Sequence, residues 1–170
     1  MTAAVRPLGV ADAPAYRAIR LEALRAHPDL FGSSWEEAEA RPFAWFEAMA
    51  ASGLVLGWFD GAGALAGTAG LRVDASLKSR HLATLWGMYV APHARGRGAG
   101  AALAEAALAL ARPPVEEVRL TVAGHNRAAV ALYERLGFEA YGFDPRALKV
   151  GDAYVDELLM RRVLSPGPGA

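Results

Sequence analysis

Polar and apolar positions alternate through Val5, Arg6, Pro7 and Leu8, which predicts a short first strand. Asp12 and Pro14 are first-turn residues for a helix running to about Ala26. Ser34 followed three residues later by Glu37 is a capping-box pattern, so a second helix starts there, and Pro42 breaks it before a third segment from Phe43 to Ala51. Leu54 to Phe59 and Ala64 to Val73 flank Asp60, Gly61, Ala62 and Gly63, turn chemistry between two antiparallel strands. After a polar loop, Asp74 to Arg80, the run His81 to Val90 is almost continuously apolar, the pattern of a central strand covered on both faces.

The second half repeats the alternation of periods. Leu103, Ala107 and Leu110 recur at helical spacing between Gly98 and Ala111, and Pro113 with Pro114 stop that helix. Val118, Leu120 and Val122 alternate with Arg119 and Thr121 to give a strand, and Ala129, Leu132 and Leu136 mark a helix starting near Asn126. Gly137 sits where a left-handed cap would end it and fold Phe138 back over Leu132 or Tyr133. Two further strands are predicted, roughly Glu139 to Phe143 and Ala153 to Val163.

With 170 residues and 54% hydrophobic content, the chain can bury one sizeable core but is short for two. The expectation is a single domain over 1–164 with a Pro- and Gly-rich tail, 165–170, that frays. Lys plus Arg and Asp plus Glu are both 18, so no global field attracts a polyanion and nucleic acid is not an expected partner. The absence of cysteine excludes a thiolate nucleophile, disulfides and Cys-based metal sites. His27, His81, His93 and His125 are scattered without ligand spacing, which predicts no metal. Met1 to Val10 lacks a signal-peptide pattern and no apolar run reaches the ~18 residues of a membrane span, so no membrane association and a cytoplasmic location are expected.

The chemistry concentrates after the apolar strand, where Ala91, Pro92, His93 and Ala94 lead into Arg95, Gly96, Arg97, Gly98, Ala99, Gly100 and Ala101 at a helix start. Unpaired helix N–H groups and glycines that admit a phosphate to the backbone make a diphosphate cradle. No Lys-Ser or Lys-Thr closes the run, so it is not a P-loop. Gly96, Gly98 and Ala101 fit a dinucleotide fingerprint, but five residues separate them from the strand and the next strand ends in Thr121 and Val122 with no acid, which weakens a nicotinamide-dependent oxidoreductase.

Arg95, Gly98 and Gly100 also fill a pattern that resembles motif A of the GNAT N-acetyltransferase superfamily, and Met88, Tyr89, Val90 and Pro92 resemble its bulged fourth strand. Asn126 and Tyr133, seven residues apart and on one side of a helix, lie in a run from Val122 to Phe138 that resembles motif B. The resemblance implies an α/β fold: a mixed, mostly antiparallel sheet of about seven strands with helices on both faces and a splayed parallel pair at the cofactor site. It implies acetyl-CoA bound by the backbone of Met88 and Val90 with Tyr89 between them, by residues Arg95 to Ala101, by Asn126 and by Tyr133 beside its sulfur, and an acetyl group passed to a primary amine by direct attack in a ternary complex. Tyr133 would protonate the departing sulfur as general acid and the Val90 N–H would polarise the thioester carbonyl. Thr121 stands where some family members have a basic glutamate, which leaves Glu22, Asp74 and His125 as unranked alternatives, or no dedicated base. A non-catalytic acyl-CoA-binding or regulatory domain is the main alternative. The acceptor, a small molecule or a peptide amine, is not specified. Trp35, Trp45 and Phe46 form either a packing face or a wall of the acceptor pocket, and a homodimer is compatible with the resemblance.

Overall fold

The computed structural model describes residues 2–164, so the expected fraying of 165–170 lies outside the described residues. Seven strands form one sheet: β1 (Ala4–Pro7), β2 (Val55–Phe59), β3 (Leu65–Val73), β4 (Leu82–Val90), β5 (Glu117–Ala123), β6 (Glu139–Val150) and β7 (Ala153–Val163). Their spatial order is β1-β2-β3-β4-β5-β7-β6, and every neighbouring pair is antiparallel except β4 and β5. Five α-helices accompany them: α1 (Ala13–Ala26), α2 (Trp35–Glu39), α3 (Phe43–Ala51), α4 (Ala99–Leu110) and α5 (Arg127–Arg135).

Local sequence explains where the helices begin and end. Ser34 and Glu37 close the expected capping box, each side chain taking the other's backbone N–H at 3.2 Å. Asn126 caps α5 through Oδ1, which accepts from the Ala129 N–H at 3.3 Å. Gly137, at φ +82°, ends α5 in the left-handed conformation, and the Phe138 N–H returns to the Tyr133 carbonyl at 3.0 Å. That turn brings the Phe138 ring edge-on to the Tyr133 ring, with centroids 5.7 Å apart.

Alanine-rich α4 lies close on β2, β3 and β4, burying Leu103, Ala104 and Ala107 completely. On the other side α1 and α3 pack together, where Tyr16, Phe46, Ala50 and Val55 form a second cluster with Leu8 and Ala13. The interrupted aromatic region divides its labour. Phe46 is wholly buried and edge-on to both Tyr16 and Trp45, whereas Trp35 stays half-buried beneath the Arg25 guanidinium.

Two expectations are corrected. The sixth strand does not stop at Phe143 but continues to Val150, because the β6–β7 hairpin resumes pairing beyond a bulge at Asp144 to Leu148 that absorbs Pro145. There the Asp156 carboxylate takes the Arg146 N–H at 2.8 Å, replacing a lost ladder bond. The apolar run His81 to Val90 is not covered evenly on both faces either. Trp86, Gly87 and Met88 are only half-buried, since one side of β4 borders a cleft.

Candidate active site

β4 and β5 run parallel for only three rungs, Leu82 with Glu117, Ala83 with Val118 and Thr84 with Arg119, and then separate. A cleft of about 620 Å³ occupies the gap. Its walls are β4 from Thr84 to Val90, β5 at Leu120, Thr121 and Val122, the starts of α4 and α5, and the loop after α1 at His27 and Phe31. Leu85, Tyr89, Leu120 and Val122, which line it, also belong to the main buried cluster.

The β4 edge is shaped for this by a bulge. β3 pairs Thr68 with Tyr89 and Gly70 with Trp86, so Ala69 faces both Gly87 and Met88. Gly87 takes φ +63°, and the Thr68 hydroxyl donates to its carbonyl at 3.2 Å. Beyond the bulge the Ala91 N–H pairs with the Ala66 carbonyl at 2.9 Å. Val90, one residue earlier, therefore turns its N–H and C=O away from β3 and towards the gap. The Val90 carbonyl there accepts from Arg95 Nε at 3.0 Å.

Where the cleft meets the start of α4, that helix has no capping side chain. Gly98 precedes it at φ +77°, and the first intrahelical bond runs from the Ala102 N–H to the Gly98 carbonyl at 3.0 Å. The N–H groups of Ala99, Gly100 and Ala101 are left without helical partners, and all three residues line the cleft. Space for an anion is present, since a Cβ at Gly96 or Gly98 would meet nothing within 4 Å. The residues thus fit a diphosphate held by backbone amides. The two arginines of the motif separate: Arg95 folds back over the Tyr89 ring and donates to His27 Nε2 at 3.3 Å, while Arg97 is not part of the cleft wall.

Asn126 and Tyr133 both line the cleft, as their seven-residue spacing predicts. Tyr133 is buried, and desolvation alone pushes its phenol up to about 12. It is therefore protonated at neutral pH and available as a donor. Tyr89, also in the wall, is held up to about 12 by burial and by Glu22, to which its hydroxyl donates at 2.8 Å. The sequence alternatives for a base fare differently. Glu22 is engaged by Tyr89, His125 Nε2 contacts Asp29 at 2.8 Å, and neither His125 nor Asp74 borders the cleft.

Sequence reasoning missed Glu157 of β7, the carboxylate that does border it. β5 and β7 pair Thr121 with Leu159 and Ala123 with Glu157, which puts Thr121 and Glu157 on one face of the sheet, diagonal to each other. Burial raises the Glu157 carboxyl above the usual range, Asp144 across β6 adds to this, and the Thr121 hydroxyl offsets part of it. The only signal in the sequence is an acid amid the apolar positions of a predicted strand.

A family model described as Acetyltransferase (GNAT) family matches residues 18–138, which include the bulged strand, the amide cradle, Asn126 and Tyr133. The chain belongs to the GNAT family. Among its curated relatives, the mycothiol acetyltransferase of Salinispora tropica is 36% identical over 133 residues, covering 75% of this chain but 41% of that protein. The chain thus spans about two fifths of the length of that relative. An L-methionine sulfoximine/L-methionine sulfone acetyltransferase of Pseudomonas paraeruginosa is 29% identical over 168 residues, covering 98% of this chain and 97% of that one. In three dimensions the GNAT superfamily phosphinothricin acetyltransferase of Sinorhizobium meliloti, solved in complex with acetyl-CoA, superposes with a TM-score of 0.80 at 23% identity, covering 100% of this chain and 92% of that one. GNAT architecture, with one parallel pair in an otherwise antiparallel sheet, is therefore the architecture of this protein. Among the described residues no cluster of His, Asp and Glu is arranged to hold a metal, and no helix is long and apolar enough to cross a membrane.

Proposed function

We propose that the protein is an acetyl-CoA-dependent N-acetyltransferase acting on a primary amine. The observation that carries this is the three-rung β4–β5 pair, whose opening is headed by Tyr133 and floored by the free amides of Ala99, Gly100 and Ala101. Family membership supports the same function, as do relatives named as mycothiol acetyltransferase and as L-methionine sulfoximine/L-methionine sulfone acetyltransferase.

When bound, acetyl-CoA supplies an acetyl group activated as a thioester. The amides from Gly96 to Ala101 hold its diphosphate, and the open edge of β4 at Met88 and Val90, with Asn126 opposite, aligns the extended arm past Tyr89. The Val90 N–H donates to the carbonyl oxygen as negative charge grows there. Tyr133 donates its hydroxyl proton towards the departing sulfur, so the C–N bond forms as the C–S bond breaks and CoA leaves as the thiol. The amine must shed a proton, and Glu157, whose raised pKa brings it nearer neutrality, accepts it directly or through water. No covalent bond to the protein is needed.

The test is release of free thiol from acetyl-CoA in the presence of a broad panel of amines. Turnover with any amine supports transfer. Binding of CoA with no thiol release from any amine assigns the chain to the non-catalytic acyl-CoA-binding class instead.

A further inference from the structure

A second cavity of about 430 Å³ adjoins the cleft, and Trp86 lines both. Apolar groups of Trp45, Met49 and Leu71 make part of its wall, and Arg20, Arg41 and Arg72 line it against a single acid, Glu37. That acid is committed to the Ser34 N–H of its own capping box. The cavity is therefore an apolar chamber with an excess of positive charge.

Arg20 stands out among these cations. Its Nη2 donates to the Ser33 hydroxyl at 3.3 Å and its guanidinium lies 5.3 Å from the Trp86 ring centroid. Among the described residues no carboxylate lies within ion-pairing distance of it, whereas Arg17 on the same helix reaches Glu39 at 3.6 Å. Burial, and the like charge of Arg41, hold the Arg20 guanidinium below its ordinary range, with only the Tyr16 phenol opposing. A half-buried guanidinium without an anion is costly, and a planar fork of donors suits a carboxylate. Position adds the decisive constraint. Arg20 Nη1 lies 3.4 Å from the point a Cβ on Gly87 would occupy, which puts the guanidinium at the β4 bulge beside the proposed acetyl position.

We infer that Arg20 receives the carboxylate of a free amino acid, whose amine faces the β4 bulge while its side chain enters the chamber lined by Trp45, Met49 and Leu71. This rests on the acetyl-transfer function proposed above and narrows its acceptor. The anion and the amine must lie a few bonds apart, as in an amino acid; a polyamine has no anion, and a peptide N-terminus carries its carboxylate far away. The reaction balances as amino acid plus acetyl-CoA giving N-acetyl amino acid plus CoA thiol. The C–N bond replaces the C–S bond; Tyr133 gives its proton to the sulfur, and the proton that the amine sheds to Glu157 balances it when solvent reprotonates Tyr133.

Matched acceptors test this in the thiol-release assay: leucine, methionine and phenylalanine against leucinamide, 3-(methylthio)propylamine and phenethylamine, with spermidine and a short peptide alongside. The acids are expected to exceed their carboxylate-free partners in kcat/KM by about 30-fold or more, the cost of losing one member of a desolvated charge pair. Arg20→Gln is expected to collapse that ratio towards one, and Arg20→Lys to restore part of it. A second readout needs no substrate: Arg20→Met is expected to raise the melting temperature of the unliganded protein, because it removes an unpartnered charge, whereas a structural Arg20 would give a fall. Equal or better turnover of the carboxylate-free amines, or of spermidine or the peptide, overturns the inference while leaving acetyl transfer intact. No thiol release from any acceptor, together with no rise in melting temperature on adding CoA, overturns acetyl transfer itself and this inference with it.

Discussion

The Tyr89 hydroxyl donates a 2.8 Å hydrogen bond to Glu22, joining β4 to α1 beside the cleft. Tyr133, on the opposite wall, has its phenol raised to the same region, about 12, by burial with no charged or hydrogen-bonding neighbour contributing. Two tyrosines with similar acidity thus have different occupations, one tying elements together and one facing open space. Tyr89→Phe is expected to lower stability by about 1 kcal/mol, the worth of an ordinary hydrogen bond and less than a buried bond to a carboxylate, because Glu22 faces water. Chemical denaturation with an unchanged m-value would register it; no loss would mean that Glu22 finds water as good a partner.

Tyr133→Phe separates chemistry from folding. The ring and its edge-on contact with Phe138 remain, and no protein partner is deprived of the hydroxyl, so the melting temperature should hold. Turnover is expected to fall by about 10²- to 10⁴-fold, the range of a general acid, while CoA still raises the melting temperature. Wild-type kcat with chemistry rate-limiting would reduce Tyr133 to a packing residue.

Glu157→Gln probes the proton acceptor. A carboxyl whose folded pKa is raised by burial and by Asp144 favours folding most in its protonated form, and its contribution weakens as pH rises through the folded pKa. The glutamine variant is therefore expected to melt at or above the wild-type temperature at pH 7 and to lose that advantage near pH 4, while kcat/KM at pH 7 drops. Its activity should also lose the acid limb that Glu157 imposes. An unchanged pH–rate profile would remove Glu157 from the mechanism.

CoA and acetyl-CoA, but not NAD, are expected to raise the melting temperature, since only a ligand of the folded state stabilises it by mass action. Gly98→Val should abolish this shift by placing a branched side chain over the amide cradle. The variant also carries about 1–2 kcal/mol of strain, because φ is +77° there. Gly53→Ala supplies the control: its φ is +73°, space around it is open, and it does not border the cleft, so it should bear similar strain yet keep the CoA shift. A Gly98 variant with full CoA response would move the diphosphate elsewhere.

Local signals were the legible ones. Ser34 with Glu37, Asn126, Gly98 and Gly137 act on backbone within a turn of themselves, and each marks its helix end within a residue or so of the sequence expectation. The amide cradle and the Asn126 to Tyr133 spacing were legible for the same reason. Pro145 hid the second half of β6, since only pairing with β7 makes a bulge there tolerable. Glu157, marked only as an acid in an apolar strand, and Arg20, marked by nothing, did not stand out because neither is near a motif in the chain. β7 is brought beside β5 by the sheet order, and α1 beside the β4 bulge by packing, so their chemistry exists only after long-range contacts form.

The short β4–β5 seam also places a strand edge in the interior of a sheet. Edges at the rim invite other chains to add on, and proteins protect them with charge, bulges or covering segments. Here α4 and α5 flank the opening and β5 stands opposite, so the edge is hemmed in on three sides instead of lying at the rim. Amides on the open side of β4 between Leu85 and Val90 are expected to exchange with solvent faster than those on its β3 side until a ligand arrives. What reaches them must be thin, extended and able to hydrogen-bond along its length. Selection at this edge is by thickness before it is by chemical identity.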